Sequence, residues 1–187
     1  MSEVYTIGHS TRTLEQFVET IGSFGIDTVV DVRTVPRSRT NPQYNLDTLP
    51  GELARLGINH EQILELGGLR KKSSVVPDET NAFWTNRSFH NYADYALSDE
   101  FEDGLNRLLA LGETQRCVIM CAEAVWWRCH RRIIADYLLL RGVEVIHVMD
   151  KDKSSRAILN PAAQAHGLKL TYPAARGEGG GTGSATL

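Results

Sequence analysis

Apolar positions along the chain fall into two alternating patterns, short β-branched runs and longer stretches with helical spacing. The runs predict strands at residues 4–8, 28–32, 58–63, 116–121, 143–149 and 168–172. Apolar residues three or four positions apart predict helices at 14–21, 46–56, 88–97, 98–111, 128–141 and 161–167. Thr13 and Gln16 form a capping-box pattern before the first helix, and Gly57 and Gly142 end two others. Strands therefore alternate with helices over most of the chain.

This alternation is typical of the α/β class, and it predicts a three-layer sandwich with a mostly parallel central sheet. We expect one α/β domain over residues 1–173. Residues 174–187 are rich in Gly and cannot build a core, so a disordered or tag-like tail is expected there. Residues 66–86 show no sustained period and predict a long loop, which could serve as a lid over a binding site.

Composition and charge narrow the class of protein. The chain of 187 residues is 42% hydrophobic and 23% charged, which excludes a disordered or fibrous protein. Its net charge of −3 excludes a global basic field for non-specific binding to nucleic acid or anionic membranes. No apolar run approaches the roughly 20 residues of a membrane span, and no export signal is visible, so we expect no membrane partner. The three cysteines, Cys117, Cys121 and Cys129, are expected to be free thiols in a reducing cytoplasm.

Ligands of parallel α/β sheets bind at the carboxyl ends of the strands, and this rule selects three loops of the chain. They follow the first, second and fourth predicted strands and contain residues 8–10, 33–39 and 121–132. Because parallel strands end at one edge of the sheet, we expect the three loops to line one concavity.

The loop after the fourth strand carries the richest chemistry. Cys121 ends the strand, and Glu123, Cys129, His130 and Arg131 follow it. N–H groups at the next helix start and the nearby arginines would bind an anion and lower the pKa of a thiol. Cys121 is thus a candidate nucleophile with an expected pKa below the usual value, and Glu123 is a candidate proton acceptor. Alternatively, Cys121 is a small apolar residue that finishes a buried strand, and the thiol of Cys129 is activated or faces the core.

The loop after the second strand is locally cationic. Asp31 ends the strand, and Arg33, Arg37 and Arg39 follow with no further acidic residue. Arginine binds phosphate or carboxylate through two parallel N–H groups, so Arg33, Arg37 and Ser38 are predicted to bind a ligand beside Asp31. The alternative is a solvated loop that holds one internal Asp31–Arg33 pair.

Two further segments contribute candidates. His9 is either a general base or a structural hydrogen-bonding group, and Ser10 either contacts a ligand or caps the next helix. Arg70 follows Gly67 and Gly68 and is predicted to bind the anion, although a surface charge run is the simpler explanation for the lysines after it. No Cys-x-x-Cys or His-Glu-x-x-His spacing is present, so neither a metal nor a cofactor is predicted.

Five motifs in this order resemble the domain-of-unknown-function family numbered 488. They are Tyr5-Thr-Ile-Gly-His-Ser10, Asp31-Val-Arg33 with Pro36 and Ser38, Leu66-Gly-Gly68 with Arg70, Cys121-Ala-Glu123, and Cys129-His-Arg131. The resemblance covers residues 4–173 and implies an α/β domain whose motif residues converge on one pocket, but it implies no reaction. A weaker similarity links the Asp-Val-Arg strand and the later Cys loop to rhodanese-like proteins and Cys-dependent phosphatases. Phosphatase loops have one residue fewer between Cys and Arg and more glycines, so this similarity extends only to architecture.

These observations favour an enzyme that acts on a small anionic substrate, phosphorylated or nucleotide-like. Glu123 or His9 would transfer protons, and Cys121 would be the nucleophile or part of the wall. The anion would be bound by four arginines, Arg33, Arg37, Arg70 and Arg131. Two alternatives stay open: a module that binds a nucleotide or nucleic-acid end without turnover, and a protein that processes nucleic acid. The pattern does not fix the oligomeric state.

Overall fold

The computed structural model describes residues 2–176 and contains eight strands and five helices within them. The strands are β1 (Glu3–Gly8), β2 (Thr28–Asp31), β3 (Asn59–Gln62), β4 (Cys117–Cys121), β5 (Glu144–Asp150), β6 (Lys153–Arg156), β7 (Gln164–His166) and β8 (Lys169–Thr171). The helices are α1 (Leu14–Gly22), α2 (Leu49–Arg55), α3 (Arg87–Tyr95), α4 (Asp99–Thr114) and α5 (Arg131–Leu140). Of the predicted Gly-rich tail, residues 177–187 lie outside the described residues.

The central sheet has six strands in the spatial order β3-β2-β4-β1-β5-β6. Strands β1 to β5 run parallel, and β6 pairs with β5 in the antiparallel direction. Buried residues of α1 and α2 pack on one face of the sheet, and those of α3, α4 and α5 pack on the other. The predicted three-layer α/β sandwich with a mostly parallel sheet is therefore confirmed.

Strand β4 shows how the sheet positions the site. It lies between β2 and β1, and both of its faces are covered, so all five of its residues are buried. Val118 and Met120 pack in the layer of α1 and α2, whereas Cys117, Ile119 and Cys121 point to the opposite layer. Alternation along the strand thus places the Cys121 side chain on the same side of the sheet as α5.

Local sequence signals account for the helix starts that frame the site. The predicted capping box of α1 is present: Gln16 N donates to Thr13 Oγ1 at 3.1 Å, and Thr13 N donates to Gln16 Oε1 at 2.9 Å. Asn86 caps α3, where its Oδ1 accepts from Ser88 N at 2.9 Å. Helix α5 begins at Arg131, later than predicted, because residues 126–128 form a separate 3₁₀ turn.

Near the end of the chain the structure departs from the sequence analysis at three places. The helix predicted at 161–167 is wrong, since residues 164–166 form β7, which pairs with β8 around a turn at Gly167, where φ is +62°. The predicted strand at 168–172 is present as β8, but it belongs to this separate two-stranded sheet. Strand β6 has four exposed polar residues at the sheet edge, so the sequence has no apolar run there that would predict a strand.

None of the helices within residues 2–176 has the length and apolar character needed to cross a membrane.

Candidate functional site

Two adjoining cavities open at the carboxyl ends of β1, β2 and β4. The first, here called the thiol cavity, has a volume of about 380 Å³, and its lining includes Arg33, Val35, Gly68, Leu69, Phe89, Cys121, Glu123, Arg128, Cys129 and His130. The second, here called the Arg37 cleft, has a volume of about 280 Å³, and its lining includes His9, Ser10, Arg33, Arg37, Ser38 and Glu123. Arg33 and Glu123 border both cavities. The structure therefore brings the three predicted loops together on one side of the sheet.

Close backbone contacts join the loop after β4 to the end of β1. His9 N donates to Cys121 O at 2.8 Å, and Ser10 N donates to Ala122 O at 3.1 Å. A Cβ atom on Gly8 would lie only 1.7 Å from Glu123 O. Glycine is therefore required at position 8 for the two loops to approach this closely.

Asp31 and Arg33 form a buried ion pair beneath the cavities. Arg33 Nε and Nη2 donate to the two Asp31 carboxylate oxygens at 2.8 and 2.6 Å, and Nη2 also donates to Tyr44 O at 2.7 Å. Burial alone would raise the pKa of Asp31. The hydrogen bonds from Arg33, together with the His60 ring whose Nε2 lies 3.6 Å from Asp31 Oδ2, outweigh burial and hold this pKa below its usual value. The predicted bidentate binding of an external anion by Arg33 does not fit this geometry, because Nε and Nη2 already donate to Asp31.

The contacts of His9 favour its structural role. Its Nδ1 lies 2.8 Å from Ser10 O, its Nε2 lies 3.4 Å from Arg33 Nη1, and its ring stacks on Tyr44 with centroids 4.0 Å apart. Burial and the neighbouring arginines lower the pKa of His9 to about 4. His9 is thus a neutral imidazole at pH 7 with both nitrogens engaged. Thr13, not Ser10, caps α1, so the Ser10 hydroxyl stays a predicted ligand contact.

A pair of thiols forms the floor of the thiol cavity. Cys121 Sγ at the end of β4 and Cys129 Sγ just before α5 lie 2.8 Å apart, and both side chains are buried. Cys129 Sγ also lies 3.4 Å from Arg131 Nε, 3.4 Å from His130 Nδ1 and 3.5 Å from Arg131 N. Cys121 Sγ has a different second neighbour, Glu123 O at 3.7 Å. The positively charged and hydrogen-bond-donating groups of Arg131 and His130 therefore lie around Cys129 Sγ and not around Cys121 Sγ.

This asymmetry separates the pKa values of the two thiols. Burial alone would raise the pKa of Cys129, but the hydrogen bond from Cys121 and the charges of His130 and Arg131 hold it well below its usual value. Burial and the adjacent Cys129 raise the pKa of Cys121 well above its usual value. The prediction of a lowered pKa for Cys121 is therefore wrong. The contacts therefore favour the thiolate form at Cys129, with the Cys121 thiol as its hydrogen-bond donor.

His130 is oriented to receive the proton of Cys129. Its Nε2 lies 3.0 Å from Val32 O, and since a carbonyl only accepts, Nε2 carries a hydrogen. Nδ1 is the ring atom that faces Cys129 Sγ, where it can accept the proton of the thiol and then donate to the thiolate. A Cβ on Gly68 would lie 2.4 Å from His130 Nδ1, so the glycine after β3 leaves room for this ring.

Two of the arginines predicted to bind the anion are engaged elsewhere. Arg131 is only 1% exposed, and besides Cys129 it donates to Thr6 Oγ1 at 3.3 Å and to Glu123 O at 2.6 Å. Arg70 packs over the Tyr95 ring, with Cζ 3.6 Å from the centroid, and donates to Gly67 O and Leu64 O. Arg131 thus supports the thiolate and the loop from below, and Arg70 faces a different cavity.

The exposed charges of the site are Arg37, Arg128 and Glu123. No acidic group of residues 2–176 forms an ion pair with Arg37 or Arg128, and each borders one cavity. Glu123 lies at the rim shared by both cavities, and its Oε1 accepts from Val125 N at 3.3 Å. Ser38 lies beside Arg37, but its hydroxyl accepts from Asn41 N at 3.0 Å within the turn.

The sequence pattern did not single out Arg128 or the start of α3, both of which line the thiol cavity. Arg128 sits in the 3₁₀ turn that the pattern assigned to the helix. Asn86, Ser88 and Phe89 line the thiol cavity, and the N-cap signal of Asn86 could have marked this helix start. Within residues 2–176 no group of three or more His, Cys, Asp or Glu side chains is arranged to hold a metal ion.

Comparison with known proteins gives one match. The family model described as Domain of unknown function DUF488 matches residues 13–138, about two thirds of the chain. This range includes the Asp31–Arg33 pair, Gly67–Gly68 and the segment from Cys121 to Arg131. No curated protein and no solved structure matches the chain.

Proposed function

We propose that this chain, which belongs to the DUF488 family, is a thiol-dependent enzyme that acts on a small anionic substrate, with Cys129 as its nucleophile. One observation carries the proposal. Cys129 Sγ lies at the floor of an open cavity within 3.5 Å of a thiol donor, a guanidinium Nε and an imidazole nitrogen. Burial of a thiolate lowers the stability of the folded protein, and groups arranged to hold one are typical of catalytic sites.

The proposed reaction is a covalent transfer through Cys129. The thiolate attacks an electrophilic atom of the substrate, such as a phosphorus or a carbonyl carbon, and the bond to the leaving group breaks. The leaving group takes the proton that His130 Nδ1 received from Cys129. Water or a second acceptor then removes the transferred group and restores the thiolate. Cys129 thus replaces Cys121 as the candidate nucleophile, and His130 replaces His9 as the candidate acid and base.

The cavities suit a molecule with an apolar ring and a negative charge. Val35, Leu69 and Phe89 form an apolar wall of the thiol cavity, and Arg128 lies at the same cavity. Arg37 offers a second cation in the adjoining cleft. An arginine without an acidic partner binds phosphate or carboxylate through charge-assisted hydrogen bonds. A nucleotide-like phosphate is therefore the substrate class that this arrangement favours.

Thermal unfolding with inorganic phosphate and AMP tests the anion site. We expect millimolar AMP to raise the Tm of the wild type, because a ligand that binds only the folded state stabilises it. Arg128→Ala should lose most of this shift. Arg55→Ala is the matched control, since Arg55 is exposed on α2 and lies outside both cavities, and it should keep the shift.

Turnover of p-nitrophenyl phosphate and of nucleoside monophosphates separates an enzyme from a binding module. The proposal expects product release by the wild type and none by Cys129→Ser, with the AMP shift kept in both. A shift without any turnover by the wild type would support the module that only binds. The absence of a shift with either probe would contradict the anion site.

A further inference from the structure

Cys121 has no part in the proposed transfer beyond its hydrogen bond to Cys129. It is nevertheless a second sulfur nucleophile in contact with the first, at 2.8 Å, and both thiols border the thiol cavity. The third cysteine differs, because Cys117 lies four residues earlier on the same face of β4 and does not border that cavity. The site therefore holds a pair of thiols that a small molecule can reach, and one thiol of the chain that it cannot.

We infer that Cys129 and Cys121 are a peroxide-responsive redox pair, in which Cys129 is oxidised first and Cys121 then closes a reversible disulfide. The inference rests on the Cys129 thiolate that the proposed function also uses, but it needs no anionic substrate. The disulfide removes the nucleophile while it lasts, and it keeps Cys129 from irreversible oxidation.

The first step is oxidation of Cys129 by hydrogen peroxide or an alkyl hydroperoxide. The thiolate attacks one peroxide oxygen, the O–O bond breaks, and two electrons pass from sulfur to the peroxide. Cys129 becomes a sulfenic acid, and the departing oxygen leaves as water or as an alcohol after protonation. Arg131 Nε at 3.4 Å and the exposed Arg128 at the cavity provide the positive charge that stabilises the departing anion.

The second step uses Cys121. Its sulfur attacks the Cys129 sulfur, the S–O bond breaks, and the hydroxide leaves with the Cys121 proton as water. The two sulfurs are already in contact, and residues 122–124 and 127–128 of the connecting loop are exposed, so little of the core has to move. A dithiol from solution restores both thiols by exchange, which completes the cycle.

Other charges near the pair do not offer a competing partner. His130 lies next to Cys129, Arg131 lies beneath it, and Glu123 contributes its backbone oxygen to Cys121 and to Arg131. A sulfenic acid can also condense with a backbone N–H, and that of Arg131 lies 3.5 Å from Cys129 Sγ. Cys121 Sγ is closer, at 2.8 Å, and a thiol is a far better nucleophile than an amide nitrogen. The geometry therefore assigns the resolving role to Cys121.

The experiment treats the reduced full chain with hydrogen peroxide and follows it by intact mass and peptide mapping. We expect the wild type to lose two hydrogens, to yield one cross-linked peptide pair containing Cys121 and Cys129, and to recover both thiols with dithiothreitol. Cys121→Ser should accumulate a sulfenic acid on Cys129 that dimedone traps, followed by a sulfinic acid that dithiothreitol does not reverse. Cys117→Ser is the matched control and should behave like the wild type.

Cys121→Ala provides a second variant if the Ser variant fails to fold, and far-ultraviolet circular dichroism checks both. The inference would be overturned by a wild type whose Cys129 goes to sulfinic acid while Cys121 stays reduced, or by cross-links only between two chains. Failure of the proposed function is distinguishable from both results. A wild type that forms the disulfide but turns over no substrate contradicts the proposed function and leaves the redox pair intact.

Discussion

Replacement of Gly8 by Ala tests the contact on which the whole site depends. Gly8 ends β1, and its neighbour across the gap is a backbone atom, Glu123 O, which a Cβ would approach to 1.7 Å. Carbon–oxygen contacts normally lie at about 3.3–3.6 Å. The loop after β4 would therefore have to retreat by roughly 1.6 Å to admit one methyl group.

The hydrogen bonds that the methyl group would disrupt give the expected loss in the free energy of unfolding. A retreat of this size breaks the hydrogen bonds from His9 N and Ser10 N to the loop, each of which contributes about 1 kcal/mol. It also strains the bond from Arg131 Nη2 to Glu123 O, where a charged donor contributes about 1.5–3 kcal/mol. We expect the free energy of unfolding to fall by about 3–5 kcal/mol.

Urea unfolding of the wild type and Gly8→Ala measures this change. Gly51→Ala is the control, because a Cβ there meets nothing within 4 Å, and the helical position of Gly51 predicts a gain of up to about 1 kcal/mol. Displacement of Arg131 should also slow alkylation of Cys129 in Gly8→Ala at pH 7. A Gly8→Ala protein with unchanged stability and an unchanged alkylation rate would refute the close approach of the two loops.

Three further variants probe single interactions. Gly68→Ala should push the His130 ring away from Cys129, and a rise in the midpoint pH of Cys129 alkylation, absent from Gly51→Ala, would show it. Asp31→Asn leaves the buried Arg33 unpaired and should lower the free energy of unfolding by about 3–5 kcal/mol at pH 7. Because the folded pKa of Asp31 is lowered, its contribution is complete above about pH 3.9 and is lost as pH falls through the folded pKa, so urea unfolding should show the difference narrowing in acid. Burial raises the pKa of Asp136 to about 6. The wild type should therefore lose about 2.4 kcal/mol of stability relative to Asp136→Asn as pH rises from 4 to 8. A constant difference in the free energy of unfolding across this range would contradict the raised pKa.

Hydrophobic patterning predicted the elements that carry the site because they are buried on both faces. Strands β1, β2 and β4 appear as apolar runs, and the carboxyl-end rule then located the loops that follow them. Strand β6 was not predicted, because it is an exposed edge strand that contains no apolar residues. Residues 161–167 were misassigned because their few apolar residues fit a helical spacing, whereas the chain turns at Gly167.

The identity of the activated thiol could not be read from the sequence. It depends on Arg131, whose side chain turns beneath the loop to reach Thr6, a residue 125 positions earlier in the chain. For Arg33 the sequence left two alternatives open, binding of an external anion or an internal ion pair with Asp31. The structure shows the internal ion pair. Contacts between residues far apart in the chain determine which charged side chains remain unpaired at the cavity. The spacing of residues along the sequence does not reveal such contacts.

Alkylation of the three thiols by iodoacetamide across pH tests the central claim, that Cys129 carries the thiolate. Peptide mapping of the folded wild type should find Cys129 modified first, with a rate that rises through an apparent pKa below the ordinary value of about 8.5. Cys117, whose pKa burial raises to about 11, should stay unmodified, as should Cys121. Faster reaction of Cys121 than of Cys129, or a Cys129 that reacts only at alkaline pH, would contradict the account.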